Sequence, residues 1–205
     1  MPVSDPTYQI TISDPFGVPL ADASRFVSLK YSRVVNNWST ATLELPATFD
    51  QSLLRIPDGR IEIWRNGVLD TEATWLIKQA QWTRTDNGDQ TITVEADTPL
   101  CILKEPGRII NWAATTSQAT KTDFADNMLK EIARENIGDS TTPTRDLSAY
   151  ISIAPNLRLA PSLTKAFSWR DILKVMQEIA AQAAESGTYL AFDIVAPIPN
   201  TFQFR

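Results

Sequence analysis

From Tyr8 to Ala96, polar and apolar residues alternate with a period of two, the mark of strands with one buried face. Tyr8 to Ser13 reads Tyr-Gln-Ile-Thr-Ile-Ser and meets Asp14-Pro-Phe-Gly17, a strand entering a turn. Phe26 to Val35 sets Val27, Leu29 and Tyr31 against Ser28, Lys30 and Ser32. Asn36-Asn37 breaks that strand, because Asn tolerates left-handed backbone. Trp38 to Pro46 returns with Ala41, Leu43 and Leu45 opposite Thr40, Thr42 and Glu44, which completes an antiparallel hairpin. Asp58-Gly59 introduces a strand from Arg60 to Arg65, and Asn66-Gly67 is a strong hairpin turn. The longest strand runs from about Thr74 to Thr85, and Asp86-Asn-Gly-Asp89 turns it into Gln90 to Ala96. A two-residue Asn-Gly loop there would set Ile92 against Thr83 and Val94 against Gln81. Sliding the register by one sets Val94 against Trp82 and Ala96 against Ala80, so an odd-length loop or a bulge is expected near this turn.

After Thr98-Pro99 the texture changes. Leu100 to Leu103 reads as one helical turn and Gly107 to Trp112 as a short strand. A helix is predicted near 121–137, with Thr120 as N-cap, a stripe of Phe124, Met128, Leu129, Ile132 and Ala133, and Gly138 as its stop. Residues 139–148 read as a loop and Tyr150 to Ala154 as a strand. A second helix is predicted near 169–186, capped by Ser168 and buried along Trp169, Ile172, Leu173, Met176, Ile179, Ala180 and Ala183, with Gly187 ending it. Tyr189 to Val195 and Thr201 to Arg205 are the last two strands. Because the alternation is still running at Phe202-Gln-Phe-Arg205, the natural polypeptide is expected to continue.

Composition narrows the chemistry. The 205 residues contain no histidine, one cysteine and a formal charge of −5. Without histidine, Ser–His and Cys–His nucleophilic chemistry is excluded, and the commonest general base and metal ligand is gone. No Gly-rich nucleophile elbow supports a Ser–Lys pair. Zinc would need Cys or His clusters, and Asp86-Asn-Gly-Asp89 is a turn too short for a calcium loop. Cys101, in Leu100-Cys-Ile-Leu103, reads as a buried small hydrophobe. Glu131/Glu135 and Glu178/Glu185 are the paired carboxylates that could hydrolyse glycans, and Glu131/Glu135, i,i+4 neighbours on a helix whose other face is apolar, read as a solvated helix face. The tryptophans Trp38, Trp64, Trp75, Trp82 and Trp112 suit a core or a subunit interface better than sugar stacking. The acidic balance opposes general nucleic-acid binding, and no apolar run of about 18 residues spans a membrane.

Several stretches carry a resemblance. Val34-Val-Asn-Asn-Trp-Ser-Thr-Ala-Thr-Leu-Glu-Leu-Pro46, followed by Gly59-Arg-Ile-Glu-Ile-Trp-Arg-Asn-Gly67, resembles the opening of the phage tail baseplate hub family, the siphophage tail-tip hubs related to the trimeric hub of contractile tails. Ala125-Asp-Asn-Met-Leu-Lys-Glu-Ile-Ala-Arg-Glu-Asn-Ile-Gly138 and Phe167-Ser-Trp-Arg-Asp-Ile-Leu-Lys-Val-Met-Gln-Glu-Ile-Ala180 are similar to its two helices. The resemblance implies an α+β, mainly β fold: two antiparallel β-barrel-like modules with two inserted amphipathic helices. On that reading residues 1–104 form the N-terminal barrel-like module. Residues 105–205 form a mixed α/β segment that continues into a second β module beyond the chain end.

The function implied is structural. A homotrimeric ring would join the distal tail or tail tube protein to a tip fibre or spike, around a lumen for the tape measure protein and for DNA in transit. It would be assembled in the host cytoplasm and reside at the tail tip of the virion, with no cofactor, no metal and no membrane insertion. Interface residues are expected on the two long hairpins: Arg60, Trp64, Asn66, Trp75, Trp82 and Asn87. The alternatives are a carbohydrate- or receptor-binding β-module and the N-terminal part of a tail-associated cell-wall hydrolase.

Overall fold

The computed structural model describes residues 7–84, 90–104, 119–141, 143–167, 170–198 and 201–205. The chain divides into two compact units. The first comprises Met1–Val34, Trp38–Pro99 and Val195–Thr201, and the second Val35–Asn37, Leu100–Ile194 and Phe202–Arg205.

The first unit is one antiparallel sheet. Its strands are β1 (Tyr8–Ser13), β2 (Pro19–Asp22), β3 (Ser28–Tyr31), β4 (Thr40–Pro46), β5 (Arg60–Arg65), β6 (Val68–Arg84) and β7 (Gln90–Asp97), in the order β2-β1-β5-β6-β7-β4-β3. Registers match apolar with apolar: Ala41 faces Ala96, Leu43 faces Val94 and Leu45 faces Ile92. The alternation therefore delivers one continuous core, to which Ile10, Ile12, Ile61, Ile63, Trp75 and Ile77 add from β1, β5 and β6.

A single sheet can enclose a core only by curling. Tyr31 on β3 and Trp75 on β6 have ring centroids 5.6 Å apart, although β4 and β7 stand between those strands. Three strand spacings in a flat sheet would separate them by roughly 14 Å. The edges β2 and β3 share no ladder among the described residues, so the sheet is curled and open, and no closed barrel is seen.

Two irregularities shape the long strand β6. Asn66 (φ 53°) and Gly67 (φ 76°) make the tight turn that their sequence announces, pairing Arg65 with Val68. Beyond it, pairing jumps from Trp64–Leu69 to Glu62–Thr74, so Ile63 faces a four-residue bulge. Farther along, Ile77 faces Ala96 but Gln79 faces Glu95, which leaves Lys78 as an extra residue. The expected matching of apolar faces holds, but the register is two residues away from the one anticipated: Val94 meets Ala80 and Ile92 meets Trp82. The Arg84–Gln90 pair leaves an odd, five-residue connection that lies outside the described residues.

The second unit packs helices on short ribbons. Strand β8 (Ala119–Phe124) pairs antiparallel with β10 (Ser162–Phe167), and β9 (Ile151–Ile153) runs parallel to β12 (Thr201–Phe204) in a three-stranded sheet ordered β11-β12-β9, with β11 at Ile194–Ile198. Helix α1 (Ala125–Ile137) buries Met128, Leu129, Ile132, Ala133 and Ile137. Helix α2 (Ile172–Glu185) buries Ile172, Leu173, Val175, Met176, Ile179, Ala180 and Ala183.

Three local expectations are corrected. Thr120 does not cap α1: residues 119–124 are a strand whose Thr122 hydroxyl meets that of Thr164 at 2.9 Å, and the helix starts only at Ala125. β-Branched residues with a cross-strand partner favour the ladder over a helical turn. Asp171 caps α2, accepting the Lys174 N–H at 2.9 Å, while the expected cap Ser168 and neighbouring Trp169 lie outside the described residues. Finally, 189–193 is not strand. The Asn36 amide takes the carbonyl of Leu190 (2.8 Å) and the N–H of Phe192 (2.7 Å), groups that a ladder would have used.

Gly138 ends α1 for steric reasons, since a Cβ there would stand 2.8 Å from the Arg134 Cα. The expected strand at Gly107–Trp112 lies outside the described residues.

Candidate interaction surfaces

The convex side of the curled sheet is as ordered as its core, in polar terms. Register places Gln79, Glu95, Thr42 and Lys30 in one row across β6, β7, β4 and β3, with Gln81, Thr93, Glu44 and Ser28 in the next. The Ser28 hydroxyl donates to Glu44 Oε2 at 2.8 Å, and the Thr83 and Thr93 hydroxyls lie 3.3 Å apart. The face thus offers hydroxyls, amides and carboxylates, and Lys30 is the one cation in these two rows. Charge is distributed to match. The first unit holds 13 acidic against 8 basic residues, the second 11 against 11, so the whole net −5 belongs to the first. The alternating Thr, Gln and Glu of these strands could have marked this face in the sequence.

A second polar group is buried behind β5. Arg60 and Glu62, two residues apart on one strand face, are each about 1% exposed or less. The Arg60 guanidinium donates to the Pro15 carbonyl, and the Ser13 hydroxyl donates to Glu62 Oε2 at 3.2 Å. Glu62 Oε1 is buried without a hydrogen-bond partner among the described residues. Burial pushes the Glu62 carboxyl above its ordinary value, opposed by the Ser13 hydroxyl and the Arg60 charge. Burial likewise lowers Arg60, opposed by Glu62 and Asp14.

The residues expected at an interface separate by burial. Trp75 is wholly inside the core against Tyr31, and Arg60 is inside the buried polar group, so neither has surface to offer. Trp82 is 51% exposed, and its indole N–H donates to Gln51 Oε1 at 2.7 Å. Trp64 is half-buried. Asn66 is exposed at its turn, its side-chain oxygen accepting the Thr7 N–H at 2.9 Å. Asn87 lies outside the described residues, as does Trp112. The structure brings no two of the exposed candidates into direct contact in any bond described.

Three of the four paired carboxylates are engaged by cations. Glu131 meets Arg134 (2.5 Å), Glu135 meets Lys121 (2.5 Å), and Glu178 holds both Lys165 (2.8 Å) and Arg170 (3.0 Å to Oε2). Hydrogen bonds from Arg170 and then Lys165 bring the Glu178 carboxyl down to about 2. Ser162-Leu-Thr-Lys165 has Ser-x-x-Lys spacing, which sequence reading missed. On strand β10 residues three apart point to opposite faces, and Lys165 is held by Glu178. Among the described residues no group of three or more His, Cys, Asp or Glu could hold a metal ion, and no helix is long and apolar enough to cross a membrane.

A family model, the Siphovirus ReqiPepy6 Gp37-like protein, matches residues 20–197. Among solved structures, a tail protein from Neisseria meningitidis MC58 superposes with a TM-score of 0.52 at 9% identity, covering 96% of this chain and 50% of its own. The 43 kDa tail protein of prophage MuSo2 from Shewanella oneidensis gives 0.52 at 8% identity, with 98% and 53% covered. At such identity the likeness is one of fold, and this chain spans about half the length of those proteins. No curated protein matches the chain.

Proposed function

The chain belongs to the Siphovirus ReqiPepy6 Gp37-like family, and from that premise we propose that it is a phage tail protein, a non-enzymatic baseplate hub at the tail tip. In this reading copies close into a symmetric ring, a trimer, between the distal tail or tube protein and a tip fibre or spike. The ring leaves a lumen for the tape measure and then for DNA.

The observation that carries the proposal is the convex face of β6, β7, β4 and β3. Its regular rows of hydroxyls, amides and carboxylates, with Lys30 as their one cation, suit a wall along which a polyanion must slide. DNA sticks to proteins chiefly by displacing counterions from phosphates with Lys and Arg, and this face supplies almost none. The concentration of negative charge in the first unit supports the same reading.

The test is made on assembled tails. Antibody or gold label against the chain should decorate only the axial tip, and native mass spectrometry of the released complex should give a multiple of three copies. Replacing Thr42, Thr93 and Glu95 together by Lys should leave tails intact while slowing DNA ejection at low salt. Label along the tube, or ejection unchanged by three added cations, would overturn the hub reading.

A further inference from the structure

Two rigid apolar features stand out from the surface, one in each unit, and their chemistry is complementary. The first is the tip of the β1–β2 hairpin. Phe16 and Val18 are each 55% exposed there, and Leu20 is exposed beside them. The tip is fixed: Asp14 Oδ1 accepts the N–H groups of Phe16 (2.8 Å) and Val18 (2.9 Å), the Asp14 N–H donates to the Val18 carbonyl, and Gly17 takes φ 80° to close the turn. Its flanks, Asp14 and Asp22, are acidic, with no basic residue from 14 to 22.

The second is an apolar cavity of about 130 Å³ in the second unit, walled by Leu129, Leu157, Leu159, Leu190, Phe192 and Phe204. Leu157 (57% exposed) and Leu159 (74%) stand at its mouth. They are held outward by Arg158, whose φ of 57° is unusual for a bulky residue, and by three backbone clamps. Asn127 Oδ1 accepts the Arg158 N–H at 3.1 Å, and Asp126 Oδ1 accepts those of Leu159 and Ala160 at 3.2 Å. The charged residues lining it are Lys130 and Arg205 against Asp126.

A dry cavity of about 150 Å³ lined by Leu, Ile and Phe takes up a benzene ring, so this one is of a size for a single aromatic side chain. Both features are pre-organised, which lowers the ordering cost of association and is typical of binding hot spots. Resting on the ring reading above, we infer that the cavity of one copy receives Phe16 of the next copy, with the acidic flanks of the hairpin against the cationic rim. Such a contact joins different patches on the two copies, so it is head-to-tail, the type that closes rings.

The test uses the full chain. Phe16→Cys and Leu159→Cys variants, mixed and mildly oxidised, should form a disulfide-linked pair at least about tenfold faster than either variant alone; Cys101 is buried and stays silent. Phe16→Ser should weaken self-association about tenfold in sedimentation, with the far-UV circular dichroism and melting unchanged. Mixing Phe16→Ser with Leu159→Ser chains should cap growth at heterodimers, since one intact contact remains between them. Full-size oligomers unaffected by Phe16→Ser, or a Leu159→Cys cross-link to a different tail protein in assembled tails, would overturn this contact and leave the hub reading standing. A chain that is monomeric at every concentration, and single-copy in tails, would end both.

Discussion

The two units reach a fixed structure by different means. The first is a single sheet curled on itself, and almost every residue of its core is placed by strand alternation alone. The second carries long irregular stretches, which are placed by polar side chains that reach out to backbone. Asn36 holds 190–192, Asp126 and Asn127 hold 158–160, Lys130 Nζ donates to the Pro155 carbonyl at 2.7 Å, and Arg134 donates to that of Ala154 at 2.9 Å. One unit is specified by volume and pattern, the other by individual hydrogen bonds. The lesson is that damage should be graded differently in each.

The largest effect belongs to the sheet core. Trp75→Ala removes a fully buried indole packed on Tyr31, and should cost about 3–5 kcal/mol in urea unfolding. A loss below about 1 kcal/mol would mean that the curl does not depend on that contact. In the second unit, Asn36→Ala deletes two side-chain bonds and leaves a non-glycine residue at φ 57°, for about 2 kcal/mol. Asn36→Gly relieves the backbone and should cost less. In both variants hydrogen exchange at the Phe192 amide should quicken, while that of the β7 amides stays unchanged; equal acceleration in both regions would erase the contrast.

Two titrating groups sharpen it further. The folded-state pKa of Glu62 is raised by burial, so the folded chain holds that proton more tightly than the unfolded one. Stability from this group is present at low pH and is lost as pH rises from about 4.5 through the folded value. Glu62→Gln should flatten that part of the pH–stability curve. Glu178 has the opposite sign. Its pKa falls to about 2, so its contribution is present above the ordinary 4.5 and is lost as pH drops towards 2. Because its carboxylate is 37% exposed, Glu178→Gln should cost under about 1 kcal/mol, and 0.5 M salt should remove the difference.

The same division governs what could be read in the sequence. Strands β1, β4, β5 and β7 and the Asn66-Gly67 turn were legible, because period-two burial and left-handed Asn-Gly are local signals. Both helices were legible from their apolar stripes, whereas their starts were not: Thr120 has the chemistry of a cap, and only the distant strand around Thr164 makes it part of a ladder. The coil at 189–193 alternates like a strand, and nothing nearby reveals that Asn36, more than 150 residues earlier, claims its backbone. Of the expected interface residues, Trp75 and Arg60 could not be told from surface positions, since alternation says which residues share a face but not which face is covered. The bulge at Lys78 was half legible: matching of apolar faces required an irregularity, and its place depended on pairing across the whole hairpin.

That bulge has a hereditary consequence. From Ala73 to Ile77 the odd-numbered residues of β6 point to the concave side, and past Lys78 the even-numbered Ala80 and Trp82 do so. Deleting that lysine would let Gln79 follow Ile77 in regular alternation, leaving Gln79 and Gln81 outward and Ala80 and Trp82 inward, with the local kink removed. Descendants of this gene can therefore shed one residue at this point without turning the arm over, whereas a one-residue slip elsewhere along it would exchange its faces.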